Sequence, residues 1–186
     1  MTVHIRVMLD QFDIRILAAL QERGDMGPVE LSELVALSPS QCSRRLGQLK
    51  KRGYITAIRA VLDAGLLSVG ISAYVLLTMK SHAPEAAESF RTRILQLDEV
   101  LECQMLTGAA DMILKVATCD LGSFNQLLTR KILGAPEVAT AQSSIILEDL
   151  KSTSALPMRF ANDRANGRVA GTGCLPAARS AGGNGI

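Results

Sequence analysis

The sequence predicts an α+β protein in which a small helical domain precedes a domain with strands and helices in the order βαββαβ. Apolar residues recur at helical spacing before residue 53, which predicts three short helices. From residue 72 onward, strand-like segments alternate with helical ones. Charge divides the chain near the same place: residues 1–62 carry nine Lys/Arg against six Asp/Glu, while residues 63–150 carry six against eleven. The 186 residues therefore suggest two domains of different purpose.

The N-terminal domain, residues 1–62, is predicted to contain three helices and an extended segment. The first helix covers Leu9 to Arg23, with acids near its positive N-terminal end. The second covers Val29 to Ala36, and the Leu-Ser-Pro sequence at 37–39 then turns the chain and restarts a helix. Gly53 ends this third helix before Tyr54 to Leu62, a β-branched segment that we predict to be a strand or wing. Together these elements predict a winged helix-turn-helix.

The third helix, within Leu37 to Ile55, has an apolar edge and a polar face. The apolar edge carries Cys42, Leu46 and Leu49. The polar face carries Ser40, Gln41, Arg44, Gln48 and Lys51. Between Glu33 and Asp63 no acid offsets five closely spaced cations: Arg44, Arg45, Lys50, Lys51 and Arg52. A basic helix face is often simply solvated, but on the second helix of a helix-turn-helix it favours binding to the major groove of double-stranded DNA.

The residue types on this helix suggest which side chains contact DNA. Gln41, Arg44 and Gln48 can reach base edges, because Arg pairs with guanine and Gln with adenine. Phosphate contacts are expected from Ser38, Ser40, Ser43 and Lys51. Arg45 is a further candidate contact, but it borders the buried edge, so it either binds phosphate or forms an internal ion pair.

The second domain, residues 72–156, is predicted to be a ferredoxin-like βαββαβ sandwich with four antiparallel strands and two helices on one face. The predicted strands are Ser72 to Lys80, Leu101 to Thr107, Met112 to Thr118 and Val138 to Leu150. The predicted helices are Pro84 to Leu97 and a helix capped by Asp120 that runs through Leu133. The second of these is predicted to bury one face, which carries Leu121, Phe124, Leu128 and Ile132. Residues 63–71 would be a linker. Residues 157–186 lack a periodic apolar face and are predicted to be a disordered basic tail, whose arginines either have no role or contact DNA loosely.

Several classes of protein are disfavoured by composition. No apolar run approaches the roughly 20 residues that cross a bilayer, and the N-terminus has no long apolar leader segment, so we expect a soluble cytoplasmic protein without a membrane partner. The four cysteines are scattered, which predicts buried free thiols and neither a zinc site nor a disulfide framework: Cys42, Cys103, Cys119 and Cys174.

Enzymatic activity is not expected, nor is a cofactor or a metal. The chain has only His4 and His82, and it lacks a glycine-rich phosphate loop, a serine nucleophile elbow and paired catalytic carboxylates. Sirohaem decarboxylases share the two-domain layout, but such an enzyme would be expected to place histidines or other polar catalytic groups in its second domain, and residues 100–150 contain no histidine. A pure assembly module with an incidental basic helix is the other alternative; it would show no saturable duplex binding at physiological salt.

Residues 9 to about 156 resemble the Lrp/AsnC, or feast/famine, family of bacterial and archaeal transcriptional regulators. The matching residues occur in order along most of the chain: Leu9-Asp10, Asp13, Ile16-Leu17, Val29-Glu30-Leu31-Ser32, Leu37-Ser38-Pro39, Cys42, Arg44-Arg45, Leu46, Leu49, Gly53, Ile55, Glu102-Cys103, Gly108, Asp111, Pro136 and Val138. The resemblance implies a DNA-binding head joined to a ligand-sensing domain. It also implies homodimers through the sensing domains, often higher assemblies such as octamers, and an amino acid as the usual effector.

The candidate effector site is the turn between two strands at Thr107, Gly108, Ala109, Ala110 and Asp111. Backbone N–H groups of a turn can hold a carboxylate, and Asp111 can attract an ammonium group. On the residues alone, a simple turn with Asp111 facing water is the alternative. The resemblance favours the effector site, because Gly108 and Asp111 match the family's effector loop. The family often reads Gly-Asp-x-Asp, however, and Ala109 stands where the first acid would be, which implies a less polar, weaker or absent effector.

Overall fold

The computed structural model describes residues 9–81 and 83–161, and contacts divide the chain into two compact units. The first, which we call the helical unit, comprises the described residues up to Ala60 together with those from Thr153 onward. The second, which we call the sheet unit, comprises Val61–Ser152. The predicted tail residues from 162 to 186, with Cys174, and both histidines lie outside the described residues.

Three helices form the helical unit, as predicted: α1 (Gln11–Glu22), α2 (Pro28–Val35) and α3 (Pro39–Lys51). Both α2 and α3 begin with proline, whose missing N–H has no helical partner at the first position. Ala36 ends α2 in the left-handed conformation with φ 56°, which makes the tight turn into α3.

A small apolar core holds these helices together. Its buried members come from all three helices: Ile16, Leu31, Val35, Cys42 and Leu49. Partly buried residues from the helices and their connections surround them, among them Leu20, Leu37 and Ile55. The apolar edge predicted for the third helix is thus the edge that packs on α1 and α2.

The prediction of a strand at residues 54–62 is wrong in detail. Gly53 does end α3, with φ 76°, but residues 55–63 have no regular secondary structure. A strand requires a hydrogen-bonded partner, and within the described ranges the sheet contains only strands of the other unit. Most side chains of residues 56–62 are exposed.

The sheet unit has the predicted βαββαβ order. Its strands are β1 (Ile71–Met79), β2 (Val100–Met105), β3 (Met112–Thr118) and β4 (Val138–Ile145). Its helices are α4 (Pro84–Ile94) and α5 (Leu121–Gln126), the latter continued by a π-helical segment at Leu127–Ile132. The strand order is β2-β3-β1-β4 with every neighbouring pair antiparallel, which is the ferredoxin-like topology.

One face of the sheet carries the core, and among the described residues of this unit both helices pack on that face. Alternate residues of the two central strands are buried with the helices: Ala73, Val75, Leu77 and Met79 of β1, and Met112, Leu114 and Val116 of β3. Phe90 and Ile94 of α4 are fully buried among them. The opposite face of the same strands presents Tyr74, Leu76 and Ile113, which are exposed or half-buried. We call these three residues the open sheet face.

Several predicted boundaries differ from the structure. The first helix of the sheet unit ends at Ile94, where Leu95 caps it, and the last strand ends at Ile145 because its pairing with β1 ends there. Cys119 is exposed, which contradicts the expectation that the thiols are buried, whereas Cys42 is buried and Cys103 half-buried.

The helix after Asp120 departs from its predicted apolar face at Leu121. Its second half is a π-helical segment, in which Leu127 and Ile132 are buried. Leu121, expected on the buried face, is 60% exposed, whereas Leu127 is 1% exposed.

These two leucines provide a matched test of the packing. Leu127→Ala should lower the free energy of unfolding by about 2–5 kcal/mol, because it leaves a cavity in the core. Leu121→Ala should change it by about 0.5 kcal/mol or less, because the side chain is mostly in water. Urea unfolding of both variants measures the difference, and equal losses would contradict the burial of Leu127 and the exposure of Leu121.

Candidate DNA-binding and effector sites

The polar face predicted for the third helix lies in water in the structure. Seven of the eight candidate DNA contacts have exposed side chains on or just before α3: Ser38, Ser40, Gln41, Ser43, Arg44, Gln48 and Lys51. We call these seven residues the recognition face. Cys42 and Leu49, on the opposite edge of the same helix, are at most 1% exposed. Burial of that edge therefore turns the recognition face outward.

The N-terminus of α3 is fixed by a capping box that uses two of these residues. The Gln41 backbone N–H donates to Ser38 Oγ at 3.3 Å, and the Ser38 N–H donates to Gln41 Oε1 at 3.1 Å. This reciprocal pair satisfies two backbone groups that a helix start leaves without partners. Gln41 therefore already serves the helix, and contact with a base edge would have to share or replace this bond.

Arg45 differs from the rest of the predicted set. Its Nη1 lies 2.7 Å from Asp10 Oδ2 and 2.7 Å from Asp13 Oδ1, and its guanidinium lies 5.4 Å from the centre of the Phe12 ring. Its side chain is 19% exposed, and that of Asp13 is 9% exposed. Of the two alternatives left open for Arg45, the geometry matches the internal ion pair.

The two carboxylates in this pair also cap α1. The Asp13 N–H donates to Asp10 Oδ1 at 2.8 Å, and the Asp10 N–H donates to Asp13 Oδ2 at 3.5 Å. Arg52, just after α3, brings Nη1 to 3.9 Å from Asp13 Oδ2 and stacks on Tyr54 at 5.0 Å. We call Asp10, Asp13, Arg45 and Arg52 the α1–α3 charge network. The sequence pattern predicts only a helix-dipole role for Asp10 and Asp13, and it does not indicate that they pair with α3.

The network shifts the pKa values of its members. Partial burial disfavours the charged form of Asp10, but hydrogen bonds from the Asp13 N–H and from Arg45 outweigh it and lower the Asp10 pKa. Burial likewise opposes the charge on Arg45, yet hydrogen bonds to Asp13 and Asp10 raise its pKa. The charged forms on both helices therefore stabilise each other.

Gly47 is the one glycine within α3. A Cβ built at this position would meet nothing within 4 Å, so packing inside the chain does not require glycine there. Gly47 is exposed next to Gln48, and without a side chain there a binding partner could approach the helix backbone closely.

The candidate effector turn connects β2 to β3 at the edge of the sheet unit. Thr107, Gly108 and Ala109 are exposed, while Ala110 and Asp111 are half-buried. Gly108 has φ 135°, a conformation that other residues rarely adopt. The Leu106 N–H donates to the Asp111 carbonyl at 2.8 Å and closes the turn.

Asp111 also anchors the turn to the neighbouring strand. Its carboxylate Oδ2 accepts the Met79 N–H at 2.7 Å, and its own N–H donates to the Leu77 carbonyl at 2.8 Å. Met79 lies where the pairing of β1 with β4 shifts register. The alternative of an aspartate that simply faces water is therefore wrong. The sequence could not have indicated a bond between residues 32 positions apart.

The end of the described chain returns to α1. The Gln21 side chain donates Nε2 to the Leu156 carbonyl at 3.1 Å, and its Oε1 accepts the Leu156 N–H at 2.6 Å. Nothing in the sequence pattern indicated this pair, because both residues belong to unremarkable polar or irregular segments.

Within the described residues, no group of three His, Cys, Asp or Glu side chains could hold a metal ion. None of the helices in residues 9–81 and 83–161 has both the length and the apolar character that a membrane span needs.

A helix-turn-helix with an outward basic helix, followed by a ferredoxin-like unit, defines a two-domain DNA-binding protein. The family models specify it further: residues 9–56 match the "Winged helix-turn-helix DNA-binding" model, and residues 72–156 match the "Lrp/AsnC ligand binding domain" model. The chain belongs to the Lrp/AsnC family and is a DNA-binding transcriptional regulator.

Individual relatives agree with this assignment. The proline dehydrogenase transcriptional activator of Rhizobium radiobacter is 37% identical over 145 residues, covering 78% of this chain and 93% of that protein. The leucine-responsive regulatory protein of Escherichia coli K12 is 32% identical, covering 81% and 92%. A transcriptional regulator of Neisseria meningitidis, solved as an L-methionine complex, is 38% identical with a TM-score of 0.80, covering 82% and 99%.

Asp10→Asn tests the charge network through its pH dependence. Asn caps a helix as well as Asp does, so the substitution removes the charge beside Arg45 and keeps the cap. Because the folded pKa of Asp10 is lowered, its stabilisation is present above the ordinary value near pH 4 and is lost as pH falls through the folded pKa. The half-exposed side chain limits the loss at pH 7 to less than about 1 kcal/mol.

Thermal unfolding of Asp10→Asn and the unaltered chain between about pH 7 and pH 3 measures this effect. At pH 7 the variant should have a lower melting temperature than the unaltered chain, and this gap in melting temperature should narrow as the solution is acidified. A gap that stays constant with pH would show that the charge of Asp10 does not stabilise the helical unit.

Proposed function

We propose that this regulator binds a specific operator through the recognition face, and that an amino acid or related small metabolite modulates the binding. Gln41, Arg44 and Gln48 would contact base edges in the major groove. The phosphate contacts would come from Ser38, Ser40, Ser43 and Lys51. The observation that carries the proposal is the exposure of all seven side chains along one helix whose other edge is buried.

Charge supports this placement. From residue 34 to residue 62 the chain has no acid, and Lys50 and Lys51 lie at the C-terminal end of α3. A duplex laid along the recognition face would meet cations without a compensating carboxylate from the same segment. Arg45 is not among the proposed DNA contacts, because its guanidinium is engaged by Asp10 and Asp13.

The proposed assembly is a homodimer, or a higher homo-oligomer such as an octamer. A pair of recognition helices spaced by about one turn of DNA would bind a pseudo-palindromic operator. The open sheet face of Tyr74, Leu76 and Ile113 supplies apolar surface for a second copy, since the helices cover only the other face. Val75 and Leu77, on the other face of β1, are core and do not supply this surface.

The proposed effector site is the turn from Thr107 to Asp111. Two relatives support an amino acid as the effector, because one is named leucine-responsive and another was solved with L-methionine. The exposed turn would offer backbone N–H groups to a carboxylate, and Asp111 would offer a negative charge to an ammonium group. Ala109 gives this turn one acid fewer than the pattern Gly-Asp-x-Asp, so we propose a less polar or weakly held effector.

We also propose that the chain is not an enzyme, needs no cofactor or metal, and acts in the cytoplasm, where it meets DNA. The relatives named above are regulators. Residues 100–150 contain no histidine, which argues against the sirohaem decarboxylase alternative. The assembly module without DNA binding is disfavoured by the match to a DNA-binding family model.

Arg44→Ala and Lys51→Ala test base contact against phosphate contact. The operator here is the duplex that the unaltered protein enriches from a random-sequence pool. Arg44→Ala should weaken operator binding by about tenfold or more and relax the preference at one base position, because a bidentate contact with guanine is lost. Lys51→Ala should weaken operator and random duplexes equally and reduce the salt slope by about one.

Fluorescence anisotropy over a range of salt concentrations gives the affinity for each duplex and the salt slope. If Arg44→Ala weakened operator and random duplexes to the same extent, Arg44 would not contact a base. If no duplex were enriched from the pool at all, the proposed function itself would fail.

Asp111→Asn and Asp111→Ala test the effector site. Asparagine keeps an oxygen that can accept the Met79 N–H but removes the charge offered to an ammonium group. Asp111→Asn should therefore lose the effector response while lowering the melting temperature less than Asp111→Ala does. Asp111→Ala should lose the effector response and also lower the melting temperature. The missing charged hydrogen bond should cost about 1.5–3 kcal/mol of stability.

The response is the change in operator affinity on adding a mixture of the twenty amino acids, and thermal unfolding reports the fold. A full response in Asp111→Asn would mean that the Asp111 charge does not hold the effector.

A further inference from the structure

Arg45 occupies a particular angular position on α3. Successive helical residues are rotated by about 100°, which places Arg45 between the buried edge of Cys42 and Leu49 and the side that carries Gln41 and Gln48. A contact at this border resists rotation of α3 about its own axis. The buried apolar side chains also oppose rotation through close packing, and the ion pair adds a directional restraint to it.

The contact at this border is directional and closely defined. Arg45 Nη1 bridges Asp10 Oδ2 and Asp13 Oδ1 at 2.7 Å each, and its guanidinium stacks over Phe12. The remaining carboxylate oxygens are turned to the start of α1, where Asp10 Oδ1 accepts the Asp13 N–H at 2.8 Å. The rotation of α3 is thus restrained by contacts with the first turn of α1.

Rotation of α3 has a large effect at the recognition face. A helix with its side chains is about 10–12 Å across, so a rotation of about 10° moves the outer atoms by about 1 Å. That displacement is enough to spoil a bidentate hydrogen bond with a base edge, whose length varies by only a few tenths of an ångström. Phosphate contacts from flexible lysine side chains tolerate the same displacement better.

Arg45 is also unsuited to contact phosphate itself. Its side chain is mostly buried, and moving it to a phosphate would leave Asp13, 9% exposed, with only Arg52 at 3.9 Å among its cationic partners. It would also leave two carboxylates near the recognition helix incompletely neutralised, which opposes the approach of DNA.

We propose that Arg45 is a positioning residue for DNA recognition, which sets the rotation of α3 through Asp10 and Asp13 and makes no phosphate contact. The proposal rests on the proposed function, in which α3 contacts base edges. It predicts that loss of the network reduces the preference for the operator and leaves non-specific binding intact.

The test uses a double variant that removes the positive charge of Arg45 and the negative charge of Asp13 together. Arg45→Met alone leaves Asp13 buried without its main partner and can unfold the helical unit. Arg45→Met combined with Asp13→Asn keeps the net charge of the chain and removes the unpaired carboxylate. Lys51→Ala is the control for loss of a phosphate contact, and Arg45→Lys is the conservative variant.

Anisotropy titrations with operator and random duplexes over a range of salt concentrations give the specificity ratio and the salt slope, and thermal unfolding gives stability. In the double variant we expect random-duplex affinity within about twofold of the unaltered protein, the same salt slope, and operator affinity lowered by about tenfold or more. Arg45→Lys should recover part of the operator preference, since Lys keeps the charge but cannot bridge in the same geometry.

Two results would overturn the proposal. A salt slope that falls by about one in the double variant, as in Lys51→Ala, would make Arg45 a phosphate contact. A folded double variant with full operator preference would make the network structural only. Failure of the unaltered protein to prefer any duplex would instead overturn the proposed function, and the positioning role with it.

Discussion

The burial of one edge of α3 against α1 and α2 is the constraint on which the recognition face depends. Cys42 and Leu49 are withdrawn from water, and their burial forces Arg44 and Gln48 outward. Apolar burial fixes which edge faces inward, and polar contacts add a directional restraint on the rotation of the helix. The Arg45 bridge supplies these contacts from the first turn of α1. A chain with the same exposed side chains but a loose helix would bind DNA without distinguishing sequences.

In the sheet unit, a polar contact likewise holds the proposed effector turn in place. Asp111 connects the turn between β2 and β3 to the backbone of Met79, next to the place where β1 and β4 shift register. A ligand whose ammonium group drew this carboxylate away would leave the Met79 N–H without that acceptor. The turn is therefore placed where a small local contact can affect the pairing of a central strand, and such a contact difference is what a ligand needs to shift a conformational equilibrium.

The sequence predicted those features that depend on local pattern. Strand β3 has the predicted bounds of Met112 to Thr118, and Pro39 and Gly53 marked the ends of the recognition helix correctly. Prediction from the sequence failed where contacts between residues distant in the chain decide the position of a side chain. The ion pair of Arg45, the hydrogen bond of Asp111 and the exposure of Leu121 all depend on tertiary packing that no short spacing encodes. The strand expected after Gly53 failed because β-branched residues favour a strand without supplying a partner for it.

The most direct measurement is anisotropy of the purified protein on labelled DNA from its own upstream region, compared with a scrambled duplex, with and without the twenty amino acids. We expect saturable binding that prefers the upstream region and changes in strength when the amino acids are added. Equal binding to both duplexes, confirmed on a wider set of genomic fragments, would contradict specific recognition by α3. Specific binding that ignores the amino acids would retain the DNA-binding account and contradict the effector site at Thr107 to Asp111.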